Sequence, residues 1–297
     1  MSLIRSELMK IRTTNVWWLF GIGIIFFTGL ALLLWVITAD AQIDEARNAA
    51  SAFEPPPPDA NVPPEEVERM RQEWDFAHDI KRVLHAAASQ IYTSGQFFGV
   101  LFVLLLGAIL YTNEYFHQTA TATFLTTPQR AKVILAKFVT AALAAGFFWV
   151  LTTAINAGVG AIFFNSKGYP SQLAEWPVTR AILMNGLAFG LWGVLGVGLG
   201  VLIRNQIGAI ITAAVTYIIG TQAITIVFTL IHEFWIKKDW VMEAMVLWPS
   251  VASQVMVSPE RVYPQSPVWW VGALVLVGYG LAFGVIGTLI TRSRDIS

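Results

Sequence analysis

Residues Trp17 to Thr38 carry no charged side chain. A run of about 22 such residues forms a helix about 33 Å long, enough to cross the hydrocarbon of a bilayer. Further apolar stretches run from Gly95 to Tyr111, Ala131 to Phe164, Leu183 to Ile203, Ile207 to Ile231 and Val268 to Ile290. With 56% hydrophobic and 13% charged residues and a mean hydropathy of +0.61, a soluble reading is excluded. The chain reads as an all-α polytopic membrane protein with six transmembrane helices. Ala39-Asp40-Ala41 fits a signal-peptide cleavage site superficially, but the first run exceeds the roughly 7 to 15 residues of a signal core and is expected to stay as an anchor.

Charge sets the orientation. Arg5, Lys10, Arg12, Arg130, Lys132, Lys137, Arg204, Arg292 and Arg294 fall on one side of the six spans, against only Glu7, Glu114 and Asp295. Because the chain sums to zero net charge, the opposite side is correspondingly negative. The positive-inside rule therefore predicts that both termini are cytoplasmic.

The chain divides accordingly. An interfacial helix is expected over 1–15, with Ile4, Leu8 and Ile11 on one stripe. The first span follows over 16–38, then an acidic external hairpin over 39–90 whose tip is Pro55 to Pro58 and Pro63-Pro64. Val67, Met70, Trp74 and Ala77 mark a helix there with a buried face. The second span covers 91–112. Residues 113–127 are too polar for hydrocarbon and read as a short amphipathic helix on the cytoplasmic surface. The third span, 128–164, is over-long for one straight crossing, with Gly146, Asn156 and Gly158 as places to bend. An external loop, 165–180, precedes the fourth and fifth spans, 181–203 and 206–231. Residues 232–266 contain two short apolar pieces punctuated by prolines and are expected to re-enter the outer leaflet. The last span, 267–291, leads to a cytoplasmic tail, 292–297.

No catalytic constellation is present. There is no P-loop and no GxSxG elbow. The absence of cysteine excludes disulfides, thiolate chemistry and cysteine-held metals. His78 and His85 lie seven apart with Lys81 and Arg82 between them, which disfavours a cation, so no metal site is expected. The polar residues within the spans are neutral, and Asn156, Asn185, Gln222 and Thr225 are candidates to line a substrate route. Hydrogen bonds between packed helices account for them equally well.

Two stretches carry a resemblance: Ser6-Glu7-Leu8-Met9-Lys10-Ile11-Arg12-Thr13-Thr14 before the first span, and Glu114-Tyr115 with Thr119, Thr123-Phe124-Leu125, Pro128, Arg130 and Ala136-Lys137 after the second. With the six-span layout, they resemble the membrane subunit of type-2 ABC exporters, the ABC-2 permease family. Phe116 and Gln118 depart from it, standing where members often carry a basic residue and a glycine. The resemblance implies a non-catalytic permease of the plasma or bacterial inner membrane. It would pair with a second permease copy or paralogue and with two copies of a separate ATPase subunit, which would hold ATP and Mg, this chain having no cofactor. The surface helix would be the coupling helix, with Glu114, Tyr115, His117, Thr119 and Thr123 facing the ATPase. Exported cargo would be hydrophobic or amphipathic: a drug, peptide or lipid. The 39–90 hairpin would gate the exit or bind an external partner, and nothing points to nucleic acid. A non-transporting scaffold, or an immunity protein sequestering a peptide, is the alternative; an intramembrane enzyme is disfavoured by the missing nucleophile and metal ligands.

Overall fold

The computed structural model describes residues 3–49, 62–119, 123, 125, 129–262 and 265–293. Helix α1 (Leu3–Thr13) precedes α2 (Val16–Ala49), and α3 (Pro64–His78) leads through Asp79 into α4 (Ile80–Tyr92). Then come α5 (Gln96–Phe116), α6 (Arg130–Ser166), α7 (Trp176–Leu202) and α8 (Gln206–Phe234). Short α9 (Asp239–Glu243) passes by one 3-10 turn into α10 (Pro249–Val257), and α11 (Trp269–Ser293) completes the described chain. Among the described residues six helices are long and apolar enough to cross a membrane, or seven if the bent pair Asp239–Leu247 and Pro249–Val257 counts as one span. This is the architecture of a multi-pass α-helical membrane protein.

One helix is central. The α4–α5 span is 67% buried over its most apolar window, whereas α8 is 11% buried and α2 and α11 are each 17%. Burial on all sides requires a close neighbour, and glycine provides it. A Cβ added at Gly196 of α7 would fall against the Leu104 carbonyl oxygen of α5, and one at Gly200 would lie 2.8 Å from the Ala108 carbonyl oxygen. Backbones this close gain packing that side chains would prevent. Around the seam gather Val100, Val103, Leu104, Phe189, Trp192 and Leu195, with Tyr217 of α8 and Val255 and Met256 of α10.

The break between α4 and α5 has its own logic. Gly95 takes φ +79, and a Cβ there would overlap Thr28 of α2, so both backbone sign and space select glycine. At the other bend, Pro249 follows Trp248 and the two helical pieces diverge by 99°. Proline suits the first turn of the new helix and ends the old one. By contrast α6 runs unbroken through Gly146, Asn156 and Gly158 over 37 residues.

The ends of the bundle differ. At one, called here the α1 end, α1 meets the end of α5 and the start of α6, and Arg204 of the α7–α8 turn lies over the Tyr115 ring at 5.4 Å. At the other, the hairpin end, Lys167 pairs with Asp40 at 2.6 Å and Asp44 at 3.1 Å on α2. These two carboxylates hold the Lys167 ammonium above its ordinary value.

One expectation is corrected at the hairpin end. The stripe Val67, Met70, Trp74 and Ala77 is not a buried face: α3 has no buried residue, and Met70 is 41% exposed. Charges surround the stripe, and Trp74 packs on His78 of its own helix, with ring centroids 3.9 Å apart. The hairpin tip lies outside the described residues apart from 62–64.

The seam is testable with two alanines. Gly196→Ala should cost about 1 to 3 kcal/mol through overpacking and lower the melting temperature in detergent. Gly190→Ala, on the same helix with nothing within 4 Å of its added Cβ, should leave it unchanged.

Candidate functional site

Where α1 meets the end of α5 and the start of α6 lies a cluster of four charges, three of them buried. Helix α1 carries Ile4, Glu7, Leu8 and Ile11 at helical spacing, so Glu7 stands on the apolar stripe and is 3% exposed. The last turn of α5 brings Glu114, 4% exposed, and the second turn of α6 brings Lys137, fully buried. Lys137 Nζ lies 2.8 Å from Glu7 Oε2 and 2.9 Å from Glu114 Oε1. Lys10 Nζ, half-buried, lies 2.5 Å from both Glu7 Oε1 and Glu114 Oε1. Two acids and two bases balance.

Satisfaction is nearly complete. Lys137 Nζ also donates to the Leu110 carbonyl at 3.2 Å, giving its three protons three acceptors. Thr123 Oγ1 reaches Glu114 Oε1 at 3.5 Å. Burial works against the charge on Lys10, but hydrogen bonding and attraction from Glu114 and Glu7 outweigh it and raise the ammonium above its ordinary 10.5. A raised lysine stabilises the fold fully below that ordinary value and loses the contribution only as pH climbs through the folded one. Across neutral pH the Lys10 contribution is constant.

Helix α5 ends immediately after this cluster. The Thr119 amide folds back onto the Glu114 carbonyl at 2.8 Å. Gln118 takes φ 55, the left-handed conformation that glycine adopts cheaply at helix ends.

Against the expected ATPase-facing set, the placement is mixed. His117 and Thr119 are exposed, and Phe116 beside them is 64% exposed. Tyr115 is half-buried, its hydroxyl 3.0 Å from Tyr111 Oη. Thr123 is half-buried and also donates to the Thr119 carbonyl at 3.3 Å. Glu114 is buried, its carboxylate turned inward onto two ammoniums. Residues 120–122, 124 and 126–128 of the expected coupling helix lie outside the described residues.

The chain matches no model of a known protein family and no curated protein sequence. What it does must be argued from its own geometry.

The four candidate route residues do not line one surface. Asn156, 1% exposed, donates from Nδ2 to the Tyr92 carbonyl at 3.3 Å and the Ser94 carbonyl at 3.0 Å. It thus caps the carbonyls released by the α4–α5 break, which is a packing role. Asn185 is buried in α7. Gln222 and Thr225 are exposed on α8, where the Thr225 hydroxyl donates to the Thr221 carbonyl at 3.0 Å. His78 bonds the Trp74 carbonyl at 2.8 Å, while His85 on α4 sits 3.4 Å from Glu175 Oε2. Among the described residues no group of three His, Asp or Glu is placed to hold a metal.

From the sequence Glu7, Lys10 and Lys137 serve for orientation and resemblance but are not paired with one another, although a signal for the pairing exists. Glu7 interrupts the Ile4, Leu8, Ile11 stripe, and Lys137 interrupts Val133, Ile134, Phe138 and Ala141, all four buried. An acid and a base each set in an apolar stripe call for one another.

Breaking the balance gives the test. Lys137→Met leaves two carboxylates facing one half-buried lysine and should cost about 3 to 5 kcal/mol, read as lost folded yield and melting temperature. Adding Glu114→Gln to it should recover part of that loss, a non-additivity expected only of interacting groups.

Proposed function

We propose that this chain is the membrane subunit of a type-2 ABC exporter, working with a separate ATPase subunit in two copies and with a second permease copy or paralogue. The observation that carries the reading is the charge cluster directly behind an exposed surface turn. Phe116, His117 and Thr119 stand outward there, while the adjoining Glu114 is ion-paired to α1 and α6. A turn that seats on an ATPase and is bonded internally to three helices transmits displacement to all three. A compliant loop would absorb it.

In this mechanism ATP and Mg act on the partner subunit, and the permease contributes shape change alone. Closure of the ATPases pushes the turn after α5. The ion pairs make α1, α5 and α6 move together, and the α5–α7 seam passes the motion to α7 and α10. A conformational change needs differential contacts in its two states, and rigid-body movement of packed helices supplies them. The α1 end is then cytoplasmic, and the bent pair α9–α10 is re-entrant from the far side. The exposed face of α8, with Gln222 and Thr225 on it, suits a second permease, because polar groups facing lipid gain by pairing with another helix. The cargo is hydrophobic or amphipathic.

The test is capture from native membranes with this chain as bait, followed by an ATPase assay on what co-purifies. A hydrolysing partner retained by the parent and lost with Phe116→Glu, the variant keeping the parent's melting temperature, is the expected result. A chain recovered alone would favour the scaffold alternative.

A further inference from the structure

A cavity of about 360 Å³ lies at the α1 end, in the corner where α1 turns into α2 alongside α6. Leu8 and Ile11 of α1, Trp17 of α2, and Leu143 and Phe147 of α6 line it. It opens outward, since Trp17 is 37% exposed, Leu143 52% and Phe147 57%. On a bundle that spans a bilayer, a slot of this kind faces lipid.

Depth and charge are both marked. The uncharged run of α2 starts here, and the exposed neighbours Trp17 and Trp18 suit the headgroup level, where indole rings collect. Arg12, exposed and just before that run, is the one charged residue among those lining the cavity. The other charges nearby are accounted for. Lys10 and the buried Glu7 are spent on each other and on Glu114 and Lys137, and Arg5, further back on α1, has an interaction of its own. Lys132 is exposed on the same face of α6 as Leu143, but about 16 Å away at 1.5 Å per residue. Among the described residues no acid pairs with Arg12 and none lines the cavity. A guanidinium at headgroup depth meets phosphate oxygens two at a time. With no carboxylate beside it to receive an ammonium, a net-negative head gains more there than a zwitterionic one.

We propose that this corner binds an anionic phospholipid, one acyl chain lying in the slot between Leu8, Trp17 and Phe147 and its phosphate on Arg12. The occupant bridges α1 and α6 close to the charge cluster, so that contact responds to the anionic lipid content of the leaflet. Binding here needs neither an ATPase nor a particular orientation in the membrane, and it stands or falls separately from the exporter reading.

The experiment uses the full chain in phosphatidylcholine nanodiscs doped with phosphatidylglycerol bearing a diazirine in one acyl chain. Phosphatidylcholine bearing the same chain provides the comparison. Labelling of the peptide containing Leu143 and Phe147 should favour phosphatidylglycerol and saturate under competition by the unlabelled lipid. Arg12→Gln should weaken it about fivefold, as expected for one basic residue at an anionic surface, and Arg12→Lys should keep most of it. Lys132→Gln, outside the cavity, should leave it unchanged. Equal, non-saturable labelling by the two lipids would mean ordinary annular contact and would overturn the proposal. So would labelling indifferent to Arg12→Gln in a variant that melts like the parent, or an equal loss with Lys132→Gln, which would mean diffuse attraction to a positive surface.

Discussion

Helices α5 and α7 touch backbone to backbone, and the rest of the bundle is arranged around that contact. Hydrocarbon offers helices no hydrophobic reason to associate, so packing and hydrogen bonds must supply it. The glycines Gly107, Gly196 and Gly200 let carbonyl oxygens of each helix approach the other's chain. Once the seam closes, α6, α10 and α11 can pack against α7, while α2 and α8 remain at the periphery with most of their surface uncovered.

The charge cluster is a different sort of constraint. Taking ions out of water costs several kcal/mol each, and a pair recovers this only with good geometry and no stranded group. Here the geometry ties helices distant in sequence, with Glu7 and Lys137 separated by 130 residues. Any arrangement that moved α1 away from α6 would leave Lys137 with Glu114 alone and Glu7 with Lys10. The cluster thus specifies which elements meet at the α1 end more than it adds to the total stability.

What was legible in the sequence followed physical range. Long uncharged runs fix helices because every backbone group must be satisfied within the segment in lipid, and Pro249 ends a helix by local chemistry. Glu114 shows the limit of range: read within its own stretch it is a surface acid, and only the distant Lys10 and Lys137 turn it inward. Asn156 looked equally suited to lining or packing, and the carbonyls of the broken turn that claim its amide, Tyr92 and Ser94, are 64 and 62 residues away in sequence. On α3 the spacing promised a buried face, but spacing alone cannot say whether a neighbour exists to cover it.

Helix α6 is anchored by ions near both ends, at Lys137 and, one residue past its last turn, at Lys167. About 45 Å of unbroken helix separates them, at 1.5 Å per residue. Such a rod is a lever. A tilt of about 5° pivoting on Lys137 would swing Lys167 by about 4 Å, more than its 2.6 Å contact with Asp40 can stretch unless the lysine side chain re-extends. The far end of α6 therefore has two outcomes on tilting: the lysine follows its carboxylates and α2 with its attached hairpin stays tied to α6, or the pair opens, at small cost for contacts this exposed, and the two part.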